Sequence, residues 1–224
     1  MTQLTNASLE AHKAEICRVG KSLFDRGYVH STAGNISVRT DEGFLITPTD
    51  ACLGFMEPEQ IAFVDLQGQQ TSGAPASKTL SLHQAIYRAD SEACCVIHTH
   101  STHLVALSLL GAWKPADILP PITPYYVMKV GHVPLVPYYR PGDPEVAKRV
   151  AAMIEAGIAA DKPLRAVMIE RLGPNVWHRS LSSAMAALEE LEETAKLWLL
   201  SGRAVDPLSE AAIAELKQNF RLRY

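Results

Sequence analysis

Residues 94–108 read CCVIHTHSTHLVALS, and this stretch decides the fold class. Cys94 to His98 form a short apolar run that predicts a buried strand, and Thr99 to Leu110 return to a helical pattern. A chain of this length that mixes such strands with helices predicts one large α/β domain.

His98 and His100 stand two residues apart at the end of the predicted strand. Alternate residues of an extended chain face the same side, so both imidazoles are expected to share one metal ion and to leave positions open for substrate. The alternative is a pair of surface or hydrogen-bonded histidines without a metal. His103 falls in the following helix, where a packing or supporting role is expected.

The flanking chain alternates helical and strand patterns. Helices are predicted over residues 7–27, 79–89, 145–156 and 182–200. The last of these is predicted to place Glu189, Glu190, Glu192 and Glu193 on its solvated side. Strands are predicted over residues 35–39, 43–47, 61–66 and 165–169, the first two as a hairpin. Residues 115–144 are rich in proline and predict an ordered loop with short strands, and the chain past Ser201 carries no clear pattern.

The composition predicts a soluble protein with one domain over residues 1–224. Of 224 residues, 47% are hydrophobic and 20% are charged, and the net charge of −3 disfavours nucleic acid or an anionic membrane as a partner. The sequence has no GxGxxG motif and no apolar run of membrane-spanning length, so we expect no dinucleotide and a cytoplasmic location. Cysteines 17, 52, 94 and 95 form no CxxC motif and are expected to be reduced thiols.

Two polar turns are candidate sites for an anion. They comprise residues 31–35 (STAGN) and 47–50 (TPTD). Glycine lets the backbone approach an anion closely, and hydroxyl and amide groups offer hydrogen bonds to phosphate or sugar oxygens. The alternative is two ordinary turns.

Further polar groups lie at Ser77-Lys78-Thr79 and at Tyr125 and Tyr126. Lys78 is expected to neutralise a phosphate or carboxylate, and either neighbouring hydroxyl to cap the following helix. The tyrosines are candidate proton donors, although aromatic residues in a proline-rich loop more often pack against neighbours.

The order STAGNISVR, FLITPTD, SKTLSLH, VIHTHSTHLVALS, PYY and EELEETAKL resembles the class II aldolase/adducin family over about residues 10–200. The stretches PPITPYYVMKVG and VPYYRPGD are most similar to its 3-oxo-tetronate 4-phosphate decarboxylase branch, and L-fuculose-phosphate aldolase is a more distant relative. The resemblance implies a single-domain, three-layer α/β/α fold with a mixed, mainly antiparallel central sheet.

The resemblance also implies a carbon–carbon lyase, either aldolase or decarboxylase, that acts on a small phosphorylated sugar or sugar acid through an enediolate. It implies a divalent metal, usually zinc, and a homotetramer with sites between subunits. Carried over by motif, the metal ligands are His98 and His100, and Tyr126, or its neighbour Tyr125, falls near the tyrosine that protonates the departing product. Lys78 is not carried over in this way, and its ammonium is a candidate either for proton transfer or for phosphate binding. The matching phosphate-binding residues are Gly34, Asn35, Thr49 and Ser77.

Two positions depart from the family pattern. Thr79 stands where the family usually has an acid/base glutamate, and Leu172 stands where it has a third histidine ligand. Neither residue replaces those functions, because leucine cannot bind a metal and threonine is no base near neutral pH. Candidate replacement ligands are Glu170, His132 and His178.

These departures leave alternative functions open. One is a degenerate, non-catalytic family member that acts as a binding or structural subunit. Another is a different reaction in the same pocket, such as decarboxylation of an acid without phosphate.

Overall fold

One mixed sheet forms the centre of the protein, for which a computed structural model describes residues 2–224, with side chains from Ala7 onward. Its strands are β1 Asn35–Arg39, β2 Gly43–Ile46, β3 Ala62–Asp65, β4 Gln70–Ser72, β5 Cys95–His98, β6 Leu135–Val136, β7 Ala166–Ile169 and β8 Gly173–His178. They lie in the order β4-β3-β2-β1-β5-β8-β7-β6. The β6–β7 pair is parallel and the other neighbours are antiparallel, which confirms the predicted mixed, mainly antiparallel sheet.

Helices cover both faces of this sheet and complete the predicted three layers. They are α1 Thr2–Asp25, α2 Leu80–Ala89, α3 Thr102–Leu110, α4 Pro124–Lys129, α5 Pro144–Ala159, α6 Leu181–Leu200 and α7 Glu210–Phe220. The helices α2 and α5 pack together over one apolar cluster. The helices α1, α3 and α6 contribute to a second, larger cluster on the opposite face.

Strand β5 contributes to both clusters because its side chains alternate between the two faces. Cys95 and Ile97 belong to the larger cluster, whereas Val96 belongs to the cluster under α2 and α5. By the same alternation, His98 lies on the α2/α5 face, at the end of its strand.

Strand β8 was not predicted, although it lies between β5 and β7 in the sheet. Its sequence, GPNVWH, begins with two residues that usually mark a turn and includes a polar asparagine. Gly173 is required there, because a Cβ at this position would lie 1.9 Å from the carbonyl oxygen of Thr99. Sequence reasoning also missed the short strands β4 and β6 as separate elements, and it did not place the helices α4 and α7.

The prediction that Glu192 lies on the solvated side of α6 is wrong. Its carboxylate is buried and accepts hydrogen bonds from the backbone N–H groups of His103 and Leu104, at 2.9 and 3.0 Å. These are free N–H groups in the first turn of α3, where a negative charge also interacts favourably with the helix dipole. The Nδ1 atom of His103 lies 2.8 Å from the same carboxylate. His103 therefore supports the contact between α3 and α6, as predicted.

Across residues 2–224, no helix is long and apolar enough to cross a membrane.

Candidate active site

A cavity of about 320 Å³ opens on the α2/α5 face, where β1, β5 and β8 meet their flanking loops. Its size falls within the range of small-molecule sites. The residues that sequence reasoning assigned to a site and that line this cavity are Gly34, Asn35, Thr49, Ser77, Lys78, His98 and His100. Thr79 and Leu172, the two departures from the family pattern, line it as well.

His98 and His100 form the histidine pair of the cavity. Their ring centroids are 5.0 Å apart and their planes are inclined by 68°, so the rings are not stacked. His98 is buried, and its Nδ1 atom lies 2.9 Å from the carbonyl oxygen of Pro174. A carbonyl only accepts hydrogen bonds, so Nδ1 carries the proton and Nε2 keeps its lone pair.

Both histidines are neutral near pH 7. Burial, followed by the proximity of His100, lowers the pKa of His98 to about 4. Burial also lowers the pKa of His100, with a smaller contribution from His30. Neutral imidazoles are the form that binds metal ions, so this electrostatic setting suits a cation ligand pair.

A catalytic zinc ion normally has three protein ligands, and the pair His98 and His100 offers two suitable ones. Leu172 presents hydrocarbon at the cavity wall, as its position in the sequence led us to expect. Among residues 7–224, whose side chains the structure describes, no group of three His, Cys, Asp or Glu side chains is close enough to hold a metal ion. His98 and His100 are therefore a pair, and not a complete set of three, of metal-ligand side chains among the described residues.

The three candidate replacement ligands make hydrogen bonds or close contacts outside the cavity. Glu170 accepts a hydrogen bond at 3.0 Å from the backbone N–H of Tyr138. His132 contacts the carboxylate of Asp117 at 2.6 Å, and the Nδ1 atom of His178 accepts a hydrogen bond from the backbone N–H of the next residue. None of the three lines the cavity in the part of the chain that the structure covers.

The two polar turns meet at one end of the cavity. Gly34 has a φ of +85°, and a Cβ there would lie 2.9 Å from the carbonyl oxygen of His98, so only glycine fits. Thr47 is buried, and its hydroxyl accepts a hydrogen bond from the backbone N–H of Ile36, which is a structural role. Thr49 and Asn35 remain as polar groups that line the cavity.

Ser77, Lys78 and Thr79 line the cavity just ahead of α2. The hydroxyls of Ser77 and Thr79 lie 2.9 Å apart and are hydrogen-bonded to each other. Thr79 occupies the N-cap position of α2, but its side chain makes no capping hydrogen bond. The predicted capping role is therefore wrong for Thr79. The ammonium of Lys78 is exposed and is a positive charge at this wall of the cavity.

Tyr125 and Tyr126 lie outside the cavity of their own chain. Tyr126 is fully buried, burial raises its pKa well above the usual value, and its hydroxyl has no hydrogen-bond partner among the described residues. Tyr125 is 59% exposed and points away from the core.

Several further polar residues line the cavity and were not identified from the sequence, among them Arg140 and Asn175. Arg140 lies in the loop before α5 and has an exposed guanidinium. The motif VPYYRPGD drew attention to that loop, but the arginine received no role. Asn175 lies on β8, and it was missed because that strand was not predicted.

Comparison with known proteins supports a family assignment. Residues 14–199 match the family described as Class II Aldolase and Adducin N-terminal domain. The chain is similar to 3-oxo-tetronate 4-phosphate decarboxylase of Cupriavidus necator, with 56% identity over 95% of this chain and 97% of the relative. It is also similar to the protein of that name from Pectobacterium atrosepticum, with 41% identity over 96% of each. L-fuculose phosphate aldolase of Methanocaldococcus jannaschii is 32% identical over 84% of this chain and 96% of its own length.

Solved structures show the same fold. The crystal structure of YgbL from Escherichia coli superposes with a TM-score of 0.86 and 38% identity, covering 94% of this chain and 99% of the other. L-fuculose-1-phosphate aldolase from Thermus thermophilus superposes with a TM-score of 0.70 and 28% identity, covering 87% and 97%.

Proposed function

Because this chain belongs to the class II aldolase and adducin family, we propose that it is a carbon–carbon lyase that removes CO2 from a small phosphorylated 3-oxo sugar acid. Two similar relatives carry the name 3-oxo-tetronate 4-phosphate decarboxylase, which supports this substrate class. The observation that carries the proposal is a single cavity in which the anion-binding turns and Lys78 lie beside the neutral pair His98 and His100.

The phosphate group binds at the end of the cavity formed by the two turns and the start of α2. The backbone at Gly34, the side chains of Asn35 and Thr49, and the hydroxyl of Ser77 offer hydrogen-bonding groups there. Lys78 adds a positive charge that compensates the phosphate. This arrangement fixes one end of the substrate and directs its carbonyl carbon towards the histidines.

Decarboxylation of a 3-oxo acid requires no base. The bond between C1 and C2 breaks, its electron pair forms a double bond between C2 and C3, and the oxygen on C3 takes the negative charge as CO2 leaves. One proton then returns to C2 and gives a three-carbon hydroxyketone phosphate. Aldol cleavage begins instead with removal of a hydroxyl proton by a base. The presence of Thr79 at the usual glutamate position therefore favours decarboxylation over aldol cleavage.

Lys78 is the proposed donor of the returning proton, and it regains a proton from water. The residue is exposed at the cavity wall, and an ammonium group is a hydrogen-bond and proton donor. Tyr126 was the other candidate, but its buried hydroxyl lies away from the cavity. Tyr125 is the exposed tyrosine of this segment and is the better placed of the two to reach the cavity of a neighbouring subunit.

A divalent cation, with zinc as the first candidate, is the proposed cofactor. His98 and His100 are suitable nitrogen ligands that would hold it. When bound, such a cation acts as a Lewis acid towards the oxygen on which negative charge develops. The two neutral imidazoles hold and orient it, and the hydrogen bond from His98 to the Pro174 carbonyl keeps the free nitrogen in place.

Assembly, domain extent and location are also proposals. A homotetramer with its sites at subunit boundaries is supported by exposed apolar side chains, among them Leu109, Leu110 and Leu200, which are 55%, 65% and 74% exposed. One domain over residues 1–224 agrees with the single central sheet. A cytoplasmic location agrees with free thiols at Cys17, Cys52, Cys94 and Cys95.

The second candidate function is a binding subunit without catalysis. The observation that favours it is Leu172, which places hydrocarbon where the family has a metal ligand. Formation of CO2 from 3-oxo-tetronate 4-phosphate separates the two functions. Release above the spontaneous rate supports the lyase, and binding without acceleration supports the binding subunit.

A further inference from the structure

Three polar side chains form a row across the floor of the cavity. Asn35 on β1 pairs with His98 on β5, and His98 pairs with Asn175 on β8. Directly opposed residues of antiparallel strands point to the same face of a sheet. All three line the cavity, so the row runs from the phosphate end, past the histidine pair, to the strand that follows Leu172.

Among the described residues, no hydrogen bond accounts for a polar side chain at Asn175. It is only 1% exposed, and neither its Oδ1 nor its Nδ2 atom has a hydrogen-bond partner among the described residues. Leaving a buried amide unpaired destabilises a folded protein, whichever way the amide is turned. The same wall carries Leu172, Ile169 and Val146, beside which an apolar residue would cost less.

The position of Asn175 matches the far end of the substrate. Neighbouring strands lie about 4.8 Å apart, so Asn35 and Asn175 are separated by roughly 10 Å across β5. With the phosphate held beside Asn35 and the reacting carbonyl near His98, the carboxylate end of a short acid is directed towards Asn175.

We propose that Asn175 binds the carboxylate of the substrate and sets the preference of the cavity for sugar acid phosphates over sugar alcohol phosphates. This inference rests on the substrate class of the proposed function. The Nδ2 group donates a hydrogen bond to a carboxylate oxygen, and Oδ1 accepts one from the adjacent hydroxyl of the substrate. An uncharged amide orients the carboxylate without the strong ground-state stabilisation that a cationic side chain would give to the group that must leave.

Binding of two non-reacting probes tests this inference without turnover. The probes are erythronate 4-phosphate and erythritol 4-phosphate, which differ only in carrying a carboxylate or a hydroxymethyl group at the end remote from the phosphate. Isothermal titration calorimetry should show tighter binding of the acid to the full-length wild type. Asn175→Leu should weaken acid binding by about tenfold to a hundredfold and leave alcohol binding nearly unchanged.

A control variant separates phosphate binding from carboxylate binding, and a stability measurement reports on the unpaired amide. Thr49→Val, at the phosphate end, should weaken binding of both probes by a similar factor. Asn175→Leu should also raise the melting temperature of the ligand-free protein by about 2–4 °C or more, because it removes an unpaired buried amide. Asn175→Ala, which adds no bulk, should give the same change in preference if the leucine variant does not fold.

The outcomes separate this inference from the proposed reaction. Equal acid affinity in the wild type and the Asn175 variants, or an equal loss for both probes, would overturn the inference. The inference would also be overturned if the wild type bound the acid no more tightly than the alcohol. Acid preference that depends on Asn175 in a protein that releases no CO2 would support the inference and contradict the lyase.

Discussion

The rings of His98 and His100 lie edge to face, with centroids 5.0 Å apart and planes inclined by 68°. The hydrogen bond from His98 to the carbonyl of Pro174 leaves its Nε2 atom free, and both rings line the cavity. Leu172 lies on the wall of the same cavity and has no donor atom. The site therefore combines the proposed pair of metal ligands with hydrocarbon at the position proposed for a third one.

Restoring the third imidazole should strengthen metal binding. Leu172→His is expected to tighten the Zn²⁺ affinity by at least about 10–100-fold, since even residues that only support metal ligands have effects of that size. Competition with a chromophoric chelator measures the change. Leu82→His is a matched control, because Leu82 lines the cavity from α2. Equal gains in both variants, or no gain at Leu172, would show that Leu172 does not adjoin the histidine pair.

The role of Lys78 can be divided into charge and proton transfer. Lys78→Arg keeps the positive charge but replaces the ammonium by a group that does not give up its proton near neutral pH. We expect KM for the phosphorylated acid to change little and kcat to fall by about 10²–10⁴-fold. Lys78→Met should impair both parameters. A wild-type kcat in Lys78→Arg would limit Lys78 to phosphate binding.

Thr79 should determine which carbon–carbon cleavage the cavity supports. Thr79→Glu introduces a carboxylate base and is expected to raise aldol cleavage of L-fuculose phosphate by about 10²-fold or more. Thr79→Gln has nearly the same shape without the base and should leave that rate unchanged. The aldehyde and ketone phosphate products are quantified directly. If wild type already cleaves this sugar as fast as Thr79→Glu, the argument from the missing base fails.

His83 should make the stability of the protein depend on pH. Its Nδ1 atom is hydrogen-bonded to Ser37 at 2.7 Å, and burial, with a smaller effect of His98, lowers its pKa to about 3. In the unfolded chain the pKa is about 6.5. Between these values the unfolded state binds a proton that the folded state does not bind. The free energy of unfolding therefore falls as the pH falls from about 6.5 to about 3, by up to about 1.4 kcal/mol per pH unit from this group.

Urea denaturation at pH 6.5 and pH 5 measures this contribution. His83→Gln should reduce the loss of stability between the two pH values by about 1–2 kcal/mol, irrespective of its effect at either pH alone. His30→Gln removes an exposed histidine and is the control, with a smaller expected change because His30 acts only as the lesser cause of the lowered pKa of His100. An identical pH dependence in wild type and His83→Gln would contradict the assignment of a buried, neutral His83.

Much of the fold was predictable because the decisive elements carry strong local patterns. The apolar run before His98 predicted β5, and the helical spacing after Ser182 predicted most of α6, Leu181–Leu200. Strand β8 was not predictable from its own residues, because Gly173 and Pro174 resemble a turn and are explained only by close contact with the chain at Thr99. Glu192 was misplaced for a related reason, since its carboxylate is buried by capping another helix.

The residues of the candidate site also differ in whether the local sequence predicts them. Short motifs identified the histidine pair and the polar turns, because their residues are close together in sequence. Asn175 comes from a strand that is distant in sequence and became visible only when β5 and β8 were paired. Tyr126 was selected by resemblance, and its burial depends on packing that a local pattern does not report.

The rate of CO2 release from 3-oxo-tetronate 4-phosphate is the most direct measurement of the central proposal. It should be followed with Zn²⁺ present, for wild type and for a variant carrying His98→Asn and His100→Asn, against the spontaneous reaction. We predict turnover on the order of 1 s⁻¹ or faster in wild type, one hydroxyketone phosphate per CO2, and loss of the acceleration in the double variant. CO2 release at the spontaneous rate by wild type that demonstrably binds the acid would contradict the lyase and identify a binding protein.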